Sequence, residues 1–408
     1  MLKNKTNEQE ITVPKYMYAW TIRKERYGEP INAFKKELIE IPNPADDEII
    51  VKNMAAGINY NGVWAALGKP KNVVGEQRKY GEKLDFFIPG SESSGIVCKI
   101  GKNVHNVKIG DEVICVGYQC DDFEKEDIRI EDSFRIWGYE SNWGSLAEYS
   151  KVKCNQCVLK PKNLNWEEAA CCIATGGTVY SMLTHFKENS IKKGDVVLIW
   201  GGAGGIGSSA IVLTKALGGI PIAVVSNEKK AQECMNLGAA GCINRTKYNH
   251  WGLVDEDMYK DDKIHKKWLH NVLKFRKEIW DIVGEKKDPK IVIEHPGKDT
   301  LPTSMFLCDK RGMVTICGAT TGYAGSLDLR HLWLGIKRLQ GSHALCPNEV
   351  REYLNLIEEK SLEIPVKKVY SFEDVDKAHQ KMYENKIESG KIAILIGAEK
   401  ESACGHHI

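Results

Sequence analysis

Five apolar residues, Val196-Val197-Leu198-Ile199-Trp200, run straight into Gly201-Gly202-Ala203-Gly204-Gly205-Ile206-Gly207, and this junction constrains the fold more than any other feature. The apolar run reads as a central strand buried on both faces. Helical spacing starts at Ile206 and continues through Ala210, Ile211 and Leu213. A strand, a turn almost free of side chains and a helix N-terminus together make a pyrophosphate site. Glycine lets the backbone approach the anion, while unpaired helix N–H groups and the positive dipole end face it. The glycine pattern alone recurs by chance in a chain with 37 glycines, so its context decides. A second strand, Ile220-Pro221-Ile222-Ala223-Val224-Val225, follows at the distance that a right-handed βαβ unit requires. Gly202, Ala203, Gly204, Gly205, Ile206 and Gly207 are therefore the expected dinucleotide cradle.

The end of the second strand distinguishes the two nicotinamide dinucleotides. NAD sites usually place Asp or Glu there, to accept from the ribose 2′-hydroxyl, and a carboxylate would repel a 2′-phosphate. Here the strand ends in Ser226-Asn227, with Glu228 one position late and Lys229-Lys230 beyond it. Arg245 follows the next short apolar run, Gly241-Cys242-Ile243-Asn244. Small polar residues with converging cations suit a phosphate dianion. Ser226, Lys230 and Arg245 thus point to NADPH, against the alternative of a solvated helix start.

The texture on either side gives the organisation. The first 150 residues are β-rich, with strand-like runs at 48–54, 95–101 and 110–117. From about residue 166 helix and strand alternate, with further buried strands at 291–293 and 313–317, the pattern of a doubly wound parallel sheet. A helix over 348–359 and strands at 366–369 and 392–396 close the chain. The expectation is an α/β protein in which a barrel-like catalytic domain (1–180 and 343–408) is interrupted by a Rossmann domain (181–342). Within 264–283, Trp268, Val272, Phe275 and Ile279 fall at helical spacing between basic residues. This stretch reads as an ordinary helix laid on a sheet rather than a membrane-surface segment.

Composition limits the partners. At 408 residues about two domains are natural, and a formal net charge of +2 makes no case for nucleic acid. The run Met1–Asn7 lacks the apolar core of a signal peptide, and no uninterrupted apolar stretch approaches the roughly 18 residues of a membrane span. Thirteen scattered cysteines fit reduced thiols better than a disulfide framework, so a cytoplasmic location is expected. Cys154-Asn155-Gln156-Cys157, on a stretch read as strand, has no second CxxC nearby to complete a structural zinc lobe.

A barrel split by a nucleotide domain resembles the medium-chain dehydrogenase/reductase superfamily, with a GroES-like barrel and a Rossmann domain. Its zinc members use a Cys and a His-Glu pair, but this chain has Asn59 and Ser91-Glu92 at those places. Asn and Ser do not replace thiolate and imidazole as zinc ligands, so no metal is expected. The resemblance narrows at Asn59 to Gly68, Arg135 to Glu140, Ile199-Trp200-Gly201, Glu294 to Gly297, Leu332-Trp333 with Lys337-Arg338, and Gly341-Ser342-His343. In that order, and from about Tyr18 to Ala398, the chain is similar to crotonyl-CoA carboxylase/reductases.

This resemblance implies hydride transfer from NADPH to the β-carbon of an enoyl-CoA, followed by attack of the enolate on CO2. It implies an acyl-CoA substrate and a homo-oligomer, either dimer or tetramer. By motif the CO2 site falls on Asn61, Tyr139, Glu140 and His343. The Asn61 amide and the His343 imidazole would direct donors at the CO2 oxygens, and Glu140 would orient a water and His343. Each residue alone has a plainer reading: Asn61 as a helix cap, His343 as a core histidine, Glu140 as a surface acid. Three departures are visible. Tyr139 stands where the best-known carboxylating members have Phe, His343 is followed by Ala344-Leu345, and Thr175-Gly176-Gly177-Thr178 has glycine where an Asn is frequent. A reductase without carboxylation is therefore one alternative, and a non-catalytic nucleotide-binding structural protein is a second.

Overall fold

The β-rich first part of the chain becomes short strands that pair antiparallel. The structure, a computed structural model, describes residues 12–121, 125–252, 254–387 and 389–398; the run Met1–Asn7 lies outside them. Strands β1 (Tyr16–Arg23) and β2 (Lys35–Glu40) form a ribbon, and β3 (Glu48–Ile58) leads into helix α1 (Tyr60–Leu67). β4 (Ser93–Ile100), β5 (Glu112–Cys115), β6 (Tyr149–Lys153) and β7 (Cys157–Leu159) follow. Cys154, Asn155 and Gln156 form a 3₁₀ turn between the last two, so only Cys157 of the CxxC is strand.

Helix α2 (Trp166–Cys172) continues through a π-helical turn, Ile173–Gly177, into α3 (Thr178–Thr184). Next come β8 (Val196–Ile199), α4 (Gly205–Ala216), β9 (Ile220–Val225), α5 (Glu228–Asn236) and β10 (Gly241–Asn244). The long helix α6 (Asp262–Val283) precedes β11 (Ile291–Glu294), α7 (Leu301–Leu307), β12 (Met313–Ile316) and β13 (Arg338–Gly341). The chain closes with α8 (Pro347–Lys360), β14 (Val366–Ser371), α9 (Val375–Tyr383) and β15 (Lys391–Leu395).

Two compact units result. The first comprises the described residues of Met1–Cys171, Lys368–Ile387 and Ile392–Ile408; the second comprises those of Cys172–Lys367 and Glu388–Lys391. Seven strands of the first unit form one sheet in the order β7-β5-β4-β3-β15-β14, with β6 also on β3. Register shifts between β3 and β4, at Ile50/Val51 and Asn53/Ala55, add the local bend that a barrel-like sheet needs. Ile58, Ala65, Phe87, Tyr139, Val375 and Ile392 share its core, which ties α1 and α9 to the sheet.

In the second unit six parallel strands run β10-β9-β8-β11-β12-β13. β8 is buried along its whole length, as its unbroken apolar run requires. α6 lays Trp268, Val272, Phe275 and Ile279 into the core beside it. Residues 172–180 and 343–367 also pack here, which moves both boundaries from the expected 180 and 343. The cause is α8, which rests on α3 through the Tyr180–Tyr353 ring pair (5.7 Å) and follows it with a His185–Glu349 contact of 3.1 Å. No helix among the described residues is long and apolar enough to cross a membrane.

One buried group predicts an acid response. His250 is 4% exposed, wedged against Trp251 at 4.1 Å, and neither ring nitrogen has a hydrogen-bond partner. Burial pushes its pKa down from 6.5 to about 4. The unfolded imidazole therefore binds a proton between those values while the folded one does not, so falling pH favours unfolding. The stability of His250→Phe relative to the parent should rise by roughly 3 kcal/mol between pH 7 and pH 4. Urea unfolding at several pH values measures this, and two parallel stability curves would contradict it.

Candidate active site

The dinucleotide cradle is built at the carboxyl ends of β8 and β9. α4 begins at Gly205 behind the Gly204 N-cap, so its first free amides face the turn. A Cβ at Gly207 would lie 2.3 Å from the Gly201 carbonyl oxygen, and one at Gly202 would lie 2.6 Å from Ala223 Cβ. These glycines let turn, helix and strand approach closely, and the resulting cradle fits a pyrophosphate. At the next strand ends, Val225 pairs with Asn244 in register, which sets Ser226 and Arg245 side by side. Lys230 stands in the first turn of α5, capped by Asn227 Oδ1, which accepts from the Lys230 amide at 2.9 Å. The three residues read as 2′-phosphate contacts thus follow the carboxyl ends of the neighbouring strands β9 and β10.

A brace that the sequence reading did not find lies beside it. Glu294, fully buried at the end of β11, accepts from the Gly297 amide (3.0 Å) and Thr300 Oγ1 (2.7 Å). Its other oxygen takes the Ser304 hydroxyl, which itself accepts from Trp200 Nε1 at 2.8 Å. His295 Nε2 lies 2.9 Å from the Trp200 carbonyl oxygen. Burial pushes the Glu294 pKa up to about 7. These bonds fix Trp200 just before the turn. The Glu294-His295-Pro296-Gly297 motif was legible, but its partners ten and about a hundred residues away were not.

In the first unit the places of zinc ligands are filled by residues that bond to each other. Asn59 Nδ2 donates to Glu92 Oε1 at 2.8 Å, and Asn61 Nδ2 donates to Ser91 Oγ at 2.7 Å. Gly57 leaves room for that carboxylate, since a Cβ there would fall 2.3 Å from Glu92 Oε1. Two amides, a hydroxyl and one carboxylate are a poor donor set for zinc. Among the described residues, no group of three or more His, Cys, Asp and Glu could hold a metal ion.

Asn61 is not the helix cap: that position is Asn59, and Asn61 lies inside α1. Tyr139 is 8% exposed, its ring 6.5 Å from that of Trp64 on the same helix. Glu140 accepts the Ile136 amide at 2.8 Å on one oxygen and pairs with Lys71 through the other. α1 and the loop after it thus meet the Tyr139-Glu140 turn twice. Ser91 and Lys71 were missed as partners because they lie 30 and 69 residues from the groups they hold. His343 belongs to the second unit and is exposed, two residues past the end of β13, so it is not a core histidine.

Comparison with known proteins follows this division. Residues 45–162 match the alcohol dehydrogenase GroES-like domain, and residues 205–359 match the zinc-binding dehydrogenase model. Crotonyl-CoA carboxylase/reductase of Cereibacter sphaeroides is 41% identical over 392 residues, 95% of this chain and 89% of that protein. The chain belongs to the crotonyl-CoA carboxylase/reductase family. A crotonyl-CoA reductase of Streptomyces avermitilis is 34% identical, covering 92% of this chain and 85% of its own. The solved crotonyl-CoA carboxylase/reductase AntE in complex with NADP matches at 44% identity with a TM-score of 0.90, across 95% of this chain and 96% of that one. The 2-octenoyl-CoA carboxylase reductase CinF, solved with NADP and 2-octenoyl-CoA, matches at 31% and a TM-score of 0.87, across 96% and 90%. The match to crotonyl-CoA carboxylase/reductases thus runs over both units of this chain.

Proposed function

We propose that this protein catalyses the NADPH-dependent reductive carboxylation of an α,β-unsaturated acyl-CoA to an alkylmalonyl-CoA. The observation that carries the reading is the Asn61–Ser91 bond, made by the helix whose Trp64 packs near Tyr139, with Asn59 and Ser91 at the places where zinc members of the wider superfamily have metal ligands. Likeness to carboxylating relatives over nearly the whole chain supports it. NADPH, when bound, supplies the hydride. The cradle from Gly202 to Gly207 holds the pyrophosphate, and Ser226, Lys230 and Arg245 hold the 2′-phosphate.

Once the substrate β-carbon is reduced, the electron pair of the double bond resides on the α-carbon and thioester oxygen as an enolate. That carbon bonds to CO2, and one C=O pair of the gas moves to oxygen to give the carboxylate. Asn61 donates one amide hydrogen to Ser91, which leaves the second N–H of the same Nδ2 to donate to a CO2 oxygen. Tyr139 walls the site, Glu140 orients a water, and His343 gives a second donor. Water reaching the enolate would protonate it to the saturated thioester, so exclusion of water decides the product. The Tyr139 hydroxyl is the feature that favours the second reading, a plain enoyl-CoA reductase. With crotonyl-CoA, NADPH, bicarbonate and carbonic anhydrase, ethylmalonyl-CoA should exceed butyryl-CoA. Butyryl-CoA alone would leave only the reductase.

Cofactor choice has its own test. Lys230→Ala or Arg245→Ala should weaken NADPH roughly ten- to a hundredfold, the loss of a charge-assisted contact, and leave NADH nearly unchanged. Equal losses for both cofactors would make these residues structural. The protein further reads as a cytoplasmic homo-oligomer. Free buried thiols fit a reducing compartment. β13 is an edge strand, with Trp333, Leu334 and Ile336 exposed just before it. A single-chain mass in light scattering would end the oligomer reading.

A further inference from the structure

The π-helical turn Ile173–Gly177 joins two α-helical segments, and such turns are rare and frequently found at functional sites. Its last three residues each touch a different part of the second unit. Thr175 lies against the start of α4: its Oγ1 is 3.3 Å from Ser209 Oγ, and its methyl is 3.3 Å from where a Cβ on Gly205 would stand. At Gly176 the side-chain space is taken by Tyr353, whose hydroxyl would be 2.0 Å from a Cβ. At Gly177 it is taken by Leu345, with Cδ1 2.8 Å and Cδ2 3.1 Å from a Cβ.

Leu345 is buried, and only Ala344 separates it from His343. Ala344 has φ +59°, the left-handed region that a side-chain-bearing residue keeps only when its neighbours hold it there. The link from Leu345 to His343 is therefore short and conformationally restricted. We propose that the π-turn sets the position of His343 relative to the phosphate turn, through Leu345 seated on Gly177, and that Gly177 thereby determines product specificity. The product half of this inference rests on the reading of His343 as part of the CO2 site. Gly177 and Leu345 are positioning residues, acting through His343.

The test reads position and product separately. The His343 imidazole resonance is identified by its loss in His343→Gln. In Gly177→Ala it should shift, because the new Cβ displaces Leu345; in Gly177→Ala/Leu345→Val, where the crowding methyls are gone, it should return. The ratio of ethylmalonyl-CoA to butyryl-CoA should fall about tenfold in the single variant and recover in the double, with the KM for NADPH within about twofold throughout. Leu345→Val alone, with thermal unfolding of every variant, separates displacement from misfolding. An unmoved resonance in a folded Gly177→Ala overturns the proposal whatever the products are. A shifted and rescued resonance in a protein that makes only butyryl-CoA keeps the positional inference and removes the carboxylation reading instead.

Discussion

Gly207→Ala is expected to lower NADPH affinity by about a hundredfold or more, close to 2.7 kcal/mol, while leaving the first unit folded. The new methyl would lie 2.3 Å from the Gly201 oxygen and 2.6 Å from Gly202 Cα, and both are backbone atoms of the turn itself. No side chain can rotate away to make room, so the turn must open and its amides lose their convergence on the pyrophosphate. Gly204→Ala is the internal control. A Cβ there meets only the Gly201 oxygen, at 3.3 Å, and the residue has φ −77°. Its loss should stay within about tenfold, since the backbone already suits an ordinary residue. Fluorescence titration with NADPH, alongside circular dichroism, measures both. Equal affinities for the two variants would contradict the steric account.

Asn61→Leu and His343→Asn should redirect the enolate without stopping NADPH consumption. Removing one preorganised donor from a developing oxyanion costs about 2.7–4 kcal/mol, which slows bond formation to CO2 by roughly a hundred- to a thousandfold. Protonation by water uses neither contact, so butyryl-CoA becomes the main product while hydride transfer continues. Tyr139→Phe should leave carboxylation unchanged or raise it, because it removes a hydroxyl able to anchor water. If Asn61→Leu kept its carboxylated product, the Asn61–Ser91 pair would be architecture alone.

The nucleotide unit was largely legible because its strands are buried on both faces. The runs 196–200 and 220–225 became β8 and β9 almost residue for residue, and the helical spacing of Trp268, Val272, Phe275 and Ile279 became the buried stripe of α6. Family motifs then marked Asn61, Tyr139, Glu140 and His343. What sequence could not give was pairing over distance. Ser91 was read only as a missing zinc ligand, and nothing about Lys71 announced a carboxylate 69 residues on. The π-turn was hidden too: the glycines of Ile173–Gly177 mark a weak point in a helix, but composition does not report how its amides are shared. The boundary at 343 moved because α8 belongs by its contacts to α3, which periodicity does not report.

The place of β15 has a consequence for how the molecule is made. Its residues Ile392 to Leu395 pair with Ile58 to Ala55, and the strand lies inside the sheet, between β3 and β14. A chain emerging from the ribosome therefore presents β3 long before this one of its neighbours exists, and the second unit is synthesised in between. That unit draws its parallel sheet from one continuous stretch and can collapse early, whereas the first, with β3 already paired to β4 and β6, must keep the Ala55 to Ile58 edge of β3 open until β15 is made. Completion of the sheet that carries the Asn61 helix thus waits until the second unit has been made. During that interval β3 is the stretch most in need of protection from pairing with another chain.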